Sequence, residues 1–184
     1  MDEVGAKAAG PSAPVVELAR AAGIFLAKAD GPRVATLEFG GWDSHTLQTG
    51  EYAGLTRNFR QLDRAVTALE LALGAVWEHT VVAVVTEFGR TVAPNGSGGT
   101  DHGTASAAFL LGGAVNGGTV LADWPGLTER ALHEQRDLAP TTDLRALFKA
   151  VLIEHLGIAE REVETQLFPD SAAVKPLAGL LRAP

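Results

Sequence analysis

Seven residues at 80–86, TVVAVVT, constrain the fold more than any other part of the chain. Most of them are β-branched, and β-branched side chains favour the extended backbone of a strand. A continuous apolar run, unlike an alternating one, is typical of a strand that is covered on both faces. The run therefore predicts a central strand of a parallel sheet with helices packed against it.

The rest of the chain predicts strands and helices that alternate around this run. Apolar residues recur at steps of three and four over 15–28 and over 52–77, which predicts two amphipathic helices. Further strands are predicted at 33–39, 106–111 and 119–121, a loop at 89–105, and helices at 142–156 and 160–167. The fold class is therefore α/β, a mostly parallel sheet flanked by helices, in a single domain over 15–184. Residues 1–14, rich in Ala, Gly and Pro, are predicted to be a flexible lead-in.

Composition excludes several classes of protein and restricts the chemistry of any metal site. The 184 residues carry a formal net charge of -7, so no basic patch is expected for nucleic acid. The chain has no cysteine, and any metal must therefore be bound by oxygen and imidazole nitrogen. No apolar run reaches the roughly 18–20 residues that span a bilayer. The N-terminus also lacks the basic start and apolar core of a signal peptide.

Acidic and imidazole side chains occur in three glycine-rich clusters, FGGWDSH at 39–45, TEFGR at 86–90 and GTDHG at 99–103. The first two follow predicted strands, and ligands of parallel sheets bind at the carboxyl ends of strands. Together the clusters predict a site for a divalent metal. Its candidate ligands are Asp43, His45, Glu87, Asp101 and His102.

Each cluster also has a plainer interpretation. Asp43 and His45 could be a structural hydrogen-bonded pair, and Asp101 could cap a turn. Glu87 could cap a helix or pair with Arg90. Arg90 could instead bind an anionic substrate, because its planar guanidinium suits phosphate or sulfate. Three clusters in one domain favour the functional interpretation over three separate structural ones.

Long stretches of the chain resemble a known family. These are FGGWDSHTLQ, TEFGRTVAPNGSGGTDHGTASAAFLLGGAVNGG, RDLAPTTDLRALF and LGI. They closely resemble the DUF1501 family of bacterial proteins of unknown function, which is similar to a branch of the alkaline phosphatase and sulfatase superfamily. The resemblance runs from about residue 15 to near the C-terminus. It implies the C-terminal part of an alkaline phosphatase-like fold and hydrolysis or transfer at a phosphate or sulfate ester. The substrate would be an anionic small molecule or polymer.

The resemblance also assigns roles to the clustered residues. Asp43 and His45 correspond to a pair that holds one metal, and His102, with Asp101, to the later ligand that completes this site. Glu87 stands where a strand-end aspartate holds a second metal. An alternative alignment makes Asp101 and His102 themselves the strand-end pair. Zinc or manganese is favoured as the ion, with calcium as a further candidate.

One departure from the superfamily pattern bears on catalysis. The nucleophilic Ser, Thr or modified Cys of the superfamily comes from an N-terminal half that this chain does not resemble. Ser44, Thr86 and Thr104 are nearby hydroxyls, but no sequence feature marks any of them as activated. The expected function is thus a metal-dependent hydrolase or its metal-binding half, inactive alone. The alternative is a non-catalytic module that binds a metal or a partner. Family members often carry a twin-arginine export signal, which these residues do not contain.

Overall fold

The computed structural model describes residues 14–51 and 53–182, and contacts divide the chain into two units. Of the described residues, the helical unit comprises those up to Trp77 together with Pro94–Thr100. The sheet unit comprises Glu78–Ala93 and the chain from Asp101 onward. The predicted lead-in lies outside the described residues except for its last residue, Pro14, which begins a helix. A single domain over 15–184 stays a prediction.

The helical unit contains the two amphipathic helices that the periodicity predicted. Helix α1 spans Pro14–Leu26 and α2 spans Gly54–Leu73, and the two helices pack against each other. A methyl group on Gly23 of α1 would lie only 2.7 Å from the Cβ of Ala72 on α2, so the close packing requires glycine there. The buried hydrophobic side chains of the two helices are Val15, Ala19, Ala65, Leu69 and Leu73.

The end of α2 differs slightly from the prediction. Gly74 has a positive φ of 55° and donates its N–H to the carbonyl of Glu70, which ends the α-helix. A 3₁₀ helix then spans Gly74–His79, so the chain stays helical to the end of the predicted segment and beyond it. The predicted start at Tyr52 lies outside the described residues.

The sheet unit contains two short ladders instead of one parallel sheet. Strand β1, Val82–Val84, pairs with β4, Phe109–Leu111, and β2, Gly89–Arg90, pairs with β3, His102–Gly103. Both ladders are antiparallel, so a mostly parallel sheet is not shown by the described residues. An apolar run favours a strand without specifying its direction, because direction depends on which partner segment supplies the hydrogen bonds. An alkaline phosphatase-like fold stays a prediction.

Two predicted strands are wrong, and one predicted loop contains strands. Residues 33–39 and 119–121 form no strand, and Val34 and Val120 are 64% and 92% exposed. Their sequence favours extended backbone, but a strand also needs a neighbour that accepts and donates hydrogen bonds. The predicted loop at 89–105 contains β2 and β3, which are held by backbone pairing that composition does not reveal.

The C-terminal helices agree with their predictions. The Asp143 carboxylate accepts the N–H of Arg145 at 2.9 Å and caps α3, Leu144–Ala150, which continues in π-helical form over Val151–His155. Helix α4, Glu160–Glu162, likewise continues over Val163–Leu167. A 3₁₀ helix spans Glu129–Ala131. The core of the sheet unit includes Leu147, Ala150 and Leu180, with Ala83 of β1 and Leu110 of β4 packed against them.

A buried lysine links α3 to the segment that follows α4. Lys149 is 0% exposed, and its Nζ donates to Oε1 of Glu164 at 3.0 Å and to the carbonyl oxygen of Ser171 at 2.7 Å. Ser171 is buried as well, and its hydroxyl donates to the Phe168 carbonyl at 2.6 Å. The charge is therefore compensated inside the unit, as a buried ammonium requires.

No helix within residues 14–51 and 53–182 combines the length and the apolar character that crossing a membrane requires.

Candidate metal centre

A carboxylate and an imidazole meet in the helical unit at the first sequence cluster. The Nε2 atom of His45 lies 3.1 Å from Oδ1 of Asp43, and the two side chains are 44% and 49% exposed. The predicted pairing of these two side chains is therefore observed. Because both side chains are accessible to solvent, an ion could reach them without any rearrangement of the core. The same contact also fits a purely structural hydrogen-bonded pair.

Backbone pairing holds the residues after His45 against the loop at 94–100. Leu47 donates its N–H to the Ser97 carbonyl at 3.1 Å, and Gln48 donates to the Gly98 carbonyl at 3.0 Å. Farther along, the Thr100 hydroxyl donates to the side-chain oxygen of Gln48 at 2.8 Å. The loop therefore has a defined position beside the Asp-x-His turn.

One glycine permits this close approach. A Cβ at Gly99 would lie 2.2 Å from the carbonyl carbon of His45 and 2.6 Å from the amide nitrogen of Thr46. These are backbone atoms, which cannot rotate away as a side chain can. Glycine is thus required at this position so that the loop can touch the turn that carries the imidazole.

Aromatic packing anchors the other side of the turn to α2. The ring of Trp42 makes edge-to-face contacts with Phe39 at 5.2 Å and with Phe59 at 5.0 Å between centroids. Asn58, which is buried on α2, donates its side-chain amide to the carbonyl of Gly41 at 2.6 Å. Both Asp43 and His45 therefore follow a segment that is tied to a helix.

The sheet unit places three of the predicted residues around β2 and β3. His102 lies opposite Arg90 in the antiparallel ladder, and its ring lies 4.4 Å from that of Phe88. The Asp101 backbone forms hydrogen bonds in both directions with Thr91. The ladder therefore fixes the backbone position of His102, and Phe88 packs against its ring. The residue as a whole remains exposed to solvent.

A buried carboxylate fixes the segment that follows His102. Asp137 is 0% exposed, and it accepts hydrogen bonds from the Thr104 amide and from Nε of Arg136. Burial acts to raise the pKa of Asp137, but these hydrogen bonds and the guanidinium charge outweigh it and hold the pKa below the ordinary value of 3.8. The hydrogen bonds from Thr104, and after them the Arg136 contact, consequently stabilise the folded unit above pH 3.8, and this stabilisation is lost as the pH falls through the lowered pKa.

Glu87 does not directly follow a strand, contrary to its predicted position. Strand β1 ends at Val84, and Glu87 lies exposed in a bend two residues before β2. Within the described part of the chain, neither Glu87 nor Asp101 belongs to a cluster of three or more imidazole and carboxylate groups. Their roles as ligands, like that of Arg90 in substrate binding, stay predictions.

The remaining candidates have suitable donor chemistry. Asp43, His45 and His102 are exposed, and each could offer one ligand atom to a metal ion. Imidazole nitrogen and carboxylate oxygen together suit zinc or manganese better than calcium, which prefers six to eight oxygens. Asp and His side chains that could bind a metal are thus present in each unit, and the identity of the ion stays a prediction.

Two residues that support the candidate ligands have little signal in the sequence. Asn95 lies in the predicted loop at 89–105, and its one signal is its place before Gly96, since Asn before Gly is typical of a side chain that bonds its own turn. Nothing in the sequence marks Asp137 for burial except its place in the stretch RDLAPTTDLRALF. Both side chains act by hydrogen bonds to backbone distant in sequence, which no local pattern reveals.

Comparison with known proteins identifies the family. The family model described as Protein of unknown function (DUF1501) matches residues 3–167. Since the match covers most of the 184 residues, the chain belongs to the DUF1501 family, as its motifs predicted. No curated protein and no solved structure matches the chain. Membership of the alkaline phosphatase and sulfatase superfamily stays a prediction.

Proposed function

We propose that this DUF1501 protein binds a divalent cation through Asp43 and His45, and that His102 supplies a further ligand. The observation that carries the proposal is the contact of 3.1 Å between the His45 imidazole and the Asp43 carboxylate in an accessible turn. These two atoms are already close enough to bind one ion after small side-chain rotations. The part assigned to His102 rests on its sequence cluster and on its exposed imidazole.

The chemistry proposed for the full site is hydrolysis of phosphate or sulfate esters. A divalent ion bound there would act as a Lewis acid toward a phosphoryl or sulfuryl oxygen. Arg90 would bind the anionic group of the substrate by paired hydrogen bonds from its guanidinium. This reaction class comes from the resemblance to the alkaline phosphatase and sulfatase superfamily, and so do Glu87 and Asp101 as additional ligands.

Metal binding is tested directly by calorimetry on the metal-free protein with zinc and with manganese. We expect one of these ions to bind the wild type, and His45→Ala to weaken that binding by at least tenfold, because it removes a directly bound nitrogen. His102→Ala should weaken binding by a similar factor. Elemental analysis of the purified variants gives an independent measure of bound metal.

His79→Ala is the matched control, since His79 is an exposed histidine outside the proposed ligand set. Its affinity should equal that of the wild type. If the wild type binds neither ion, the metal proposal is wrong. If only His45→Ala loses affinity, His102 is not a ligand and the site consists of the first cluster alone.

Catalysis by this chain alone is expected to be weak or absent, because the superfamily resemblance implies a covalent nucleophile from an N-terminal half that this chain does not resemble. Ser44 donates to the Thr46 carbonyl at 3.4 Å, and Thr86 donates to the Phe88 carbonyl at 2.9 Å. Neither of these two bonds passes the hydroxyl proton to a general base, and the Thr104 hydroxyl bonds Asp137, whose lowered pKa makes its carboxylate a weak base. We expect no turnover above background with aryl phosphates and aryl sulfates in zinc, manganese or calcium.

These same hydroxyl contacts favour a second candidate function, a non-catalytic module that binds a metal or a partner. The ester assay distinguishes the two functions. Metal-dependent turnover that is lost in His102→Ala would establish an active hydrolase and contradict the expected inactivity. Metal binding without turnover would favour the module.

A further inference from the structure

The side chain of Asn95 connects three backbone positions in the helical unit. Its Oδ1 accepts the N–H of Ser97 at 3.0 Å and the N–H of Gly99 at 3.1 Å. Its Nδ2 donates to the carbonyl oxygen of His45 at 2.9 Å, across fifty positions in sequence. A single amide group therefore organises its own loop and also contacts the backbone of a candidate metal ligand.

The two kinds of bond have different consequences. The bonds from Ser97 and Gly99 close a local turn, which is the common structural use of Asn before Gly. The bond to His45 contributes nothing to that turn. This bond restrains the backbone of His45 at its carbonyl group. The imidazole of the same residue has its Nε2 against the Asp43 carboxylate.

We propose that Asn95 is a positioning residue that holds His45 in the orientation needed to bind the metal. This inference rests on the proposed metal site. Groups that orient a ligand from outside the coordination sphere raise metal affinity because less freedom is lost on binding. Asn95 would act through the donor bond from Nδ2 and not through its contribution to the loop.

Asn95→Ala tests the inference by calorimetry with zinc. We expect its affinity for zinc to fall by about 10–100-fold, the usual loss when an outer partner of a ligand is removed. Asn116→Ala is the matched control. Asn116 also precedes glycine, and its Nδ2 donates to the carbonyl of Gly179 at 3.2 Å, a contact within the sheet unit. Its zinc affinity should match that of the wild type.

Asn95→Asp separates positioning from loop structure. The carboxylate can still accept the N–H groups of Ser97 and Gly99, but it cannot donate to His45. We expect slow hydrogen exchange at those two amides, as in the wild type, together with a zinc affinity reduced as in Asn95→Ala. The titration is run in 1 M NaCl, where a Debye length of about 3 Å screens the added charge.

Nuclear magnetic resonance of the metal-free proteins provides a readout that does not depend on zinc. Asn95→Ala and Asn95→Asp should both shift the backbone and ring signals of His45, whereas Asn116→Ala should leave them unchanged. Unchanged His45 signals in the Asn95 variants would overturn the inference, as would a zinc affinity equal to that of the wild type in Asn95→Asp. If the wild type binds neither zinc nor manganese but the His45 signals still shift, the proposed metal site fails while the contact itself is verified.

Discussion

Replacement of Lys149 by alanine should lower the free energy of unfolding of the sheet unit by about 3–5 kcal/mol, the usual loss when one partner of a buried ion pair is removed. The change removes a fully buried ammonium and leaves the Glu164 carboxylate and the Ser171 carbonyl without their donor. For a chain of this length, such a loss corresponds to a melting temperature lower by about 6–20 °C. Urea denaturation and calorimetric melting measure both quantities.

A double variant and a surface variant show whether the effect comes from the buried charge. Lys149→Met with Glu164→Leu removes both partners of the ion pair and fills their space, so most of the lost stability should return. Lys175→Ala removes an exposed lysine and should change stability by less than about 0.5 kcal/mol. A Lys149→Ala variant as stable as Lys175→Ala would contradict the assignment of Lys149 as a structural residue.

Replacement of Gly99 by alanine should separate the 94–100 loop from the turn that carries His45. The new methyl group would lie 2.2 Å from the His45 carbonyl carbon, so backbone must move on one side or the other. We expect a loss of about 1–3 kcal/mol in stability, as for other overpacked sites. We also expect at least a tenfold loss in zinc affinity, because misplaced supporting groups weaken metal sites by about that factor.

Gly96→Ala is the control for this prediction. Gly96 lies in the same loop, but a Cβ at that position meets no atom within 4 Å. Stability and zinc affinity should both remain close to those of the wild type. If Gly99→Ala behaves like Gly96→Ala, the loop does not approach the turn closely in solution and does not support the candidate ligand.

The sequence was sufficient for elements whose formation depends on local pattern. Helices α1 and α2 were predicted because an amphipathic period of three to four residues is visible in the chain itself. Residue type predicts a cap at Thr142 or Asp143 and a helix end at Gly157; the structure places the cap at Asp143, and Gly157 has a positive φ. The Asp43 and His45 pair was also predicted, since two residues separated by one position in a turn are already near each other.

Strand partners, by contrast, were decided by tertiary structure. The run at 80–86 became a three-residue strand, antiparallel to Phe109–Leu111, because an apolar run specifies neither the length nor the direction of its pairing. The run at 33–39 was also predicted to be a strand but forms none. Backbone hydrogen bonds between distant segments determine which runs become strands and how they pair. The pattern of side chains contains little information about these hydrogen bonds.

At the candidate site, the sequence likewise indicates the metal-binding side chains, whereas the contacts that support them depend on tertiary structure. The sequence by itself determined which side chains can bind a metal, because donor chemistry belongs to residue type: imidazole and carboxylate in the absence of cysteine. Only the tertiary structure showed that Asn95 contacts the backbone of His45 and that Asp137 is buried against Thr104. Each of these contacts joins residues more than thirty positions apart, so the folded chain, and not local pattern, brings them together.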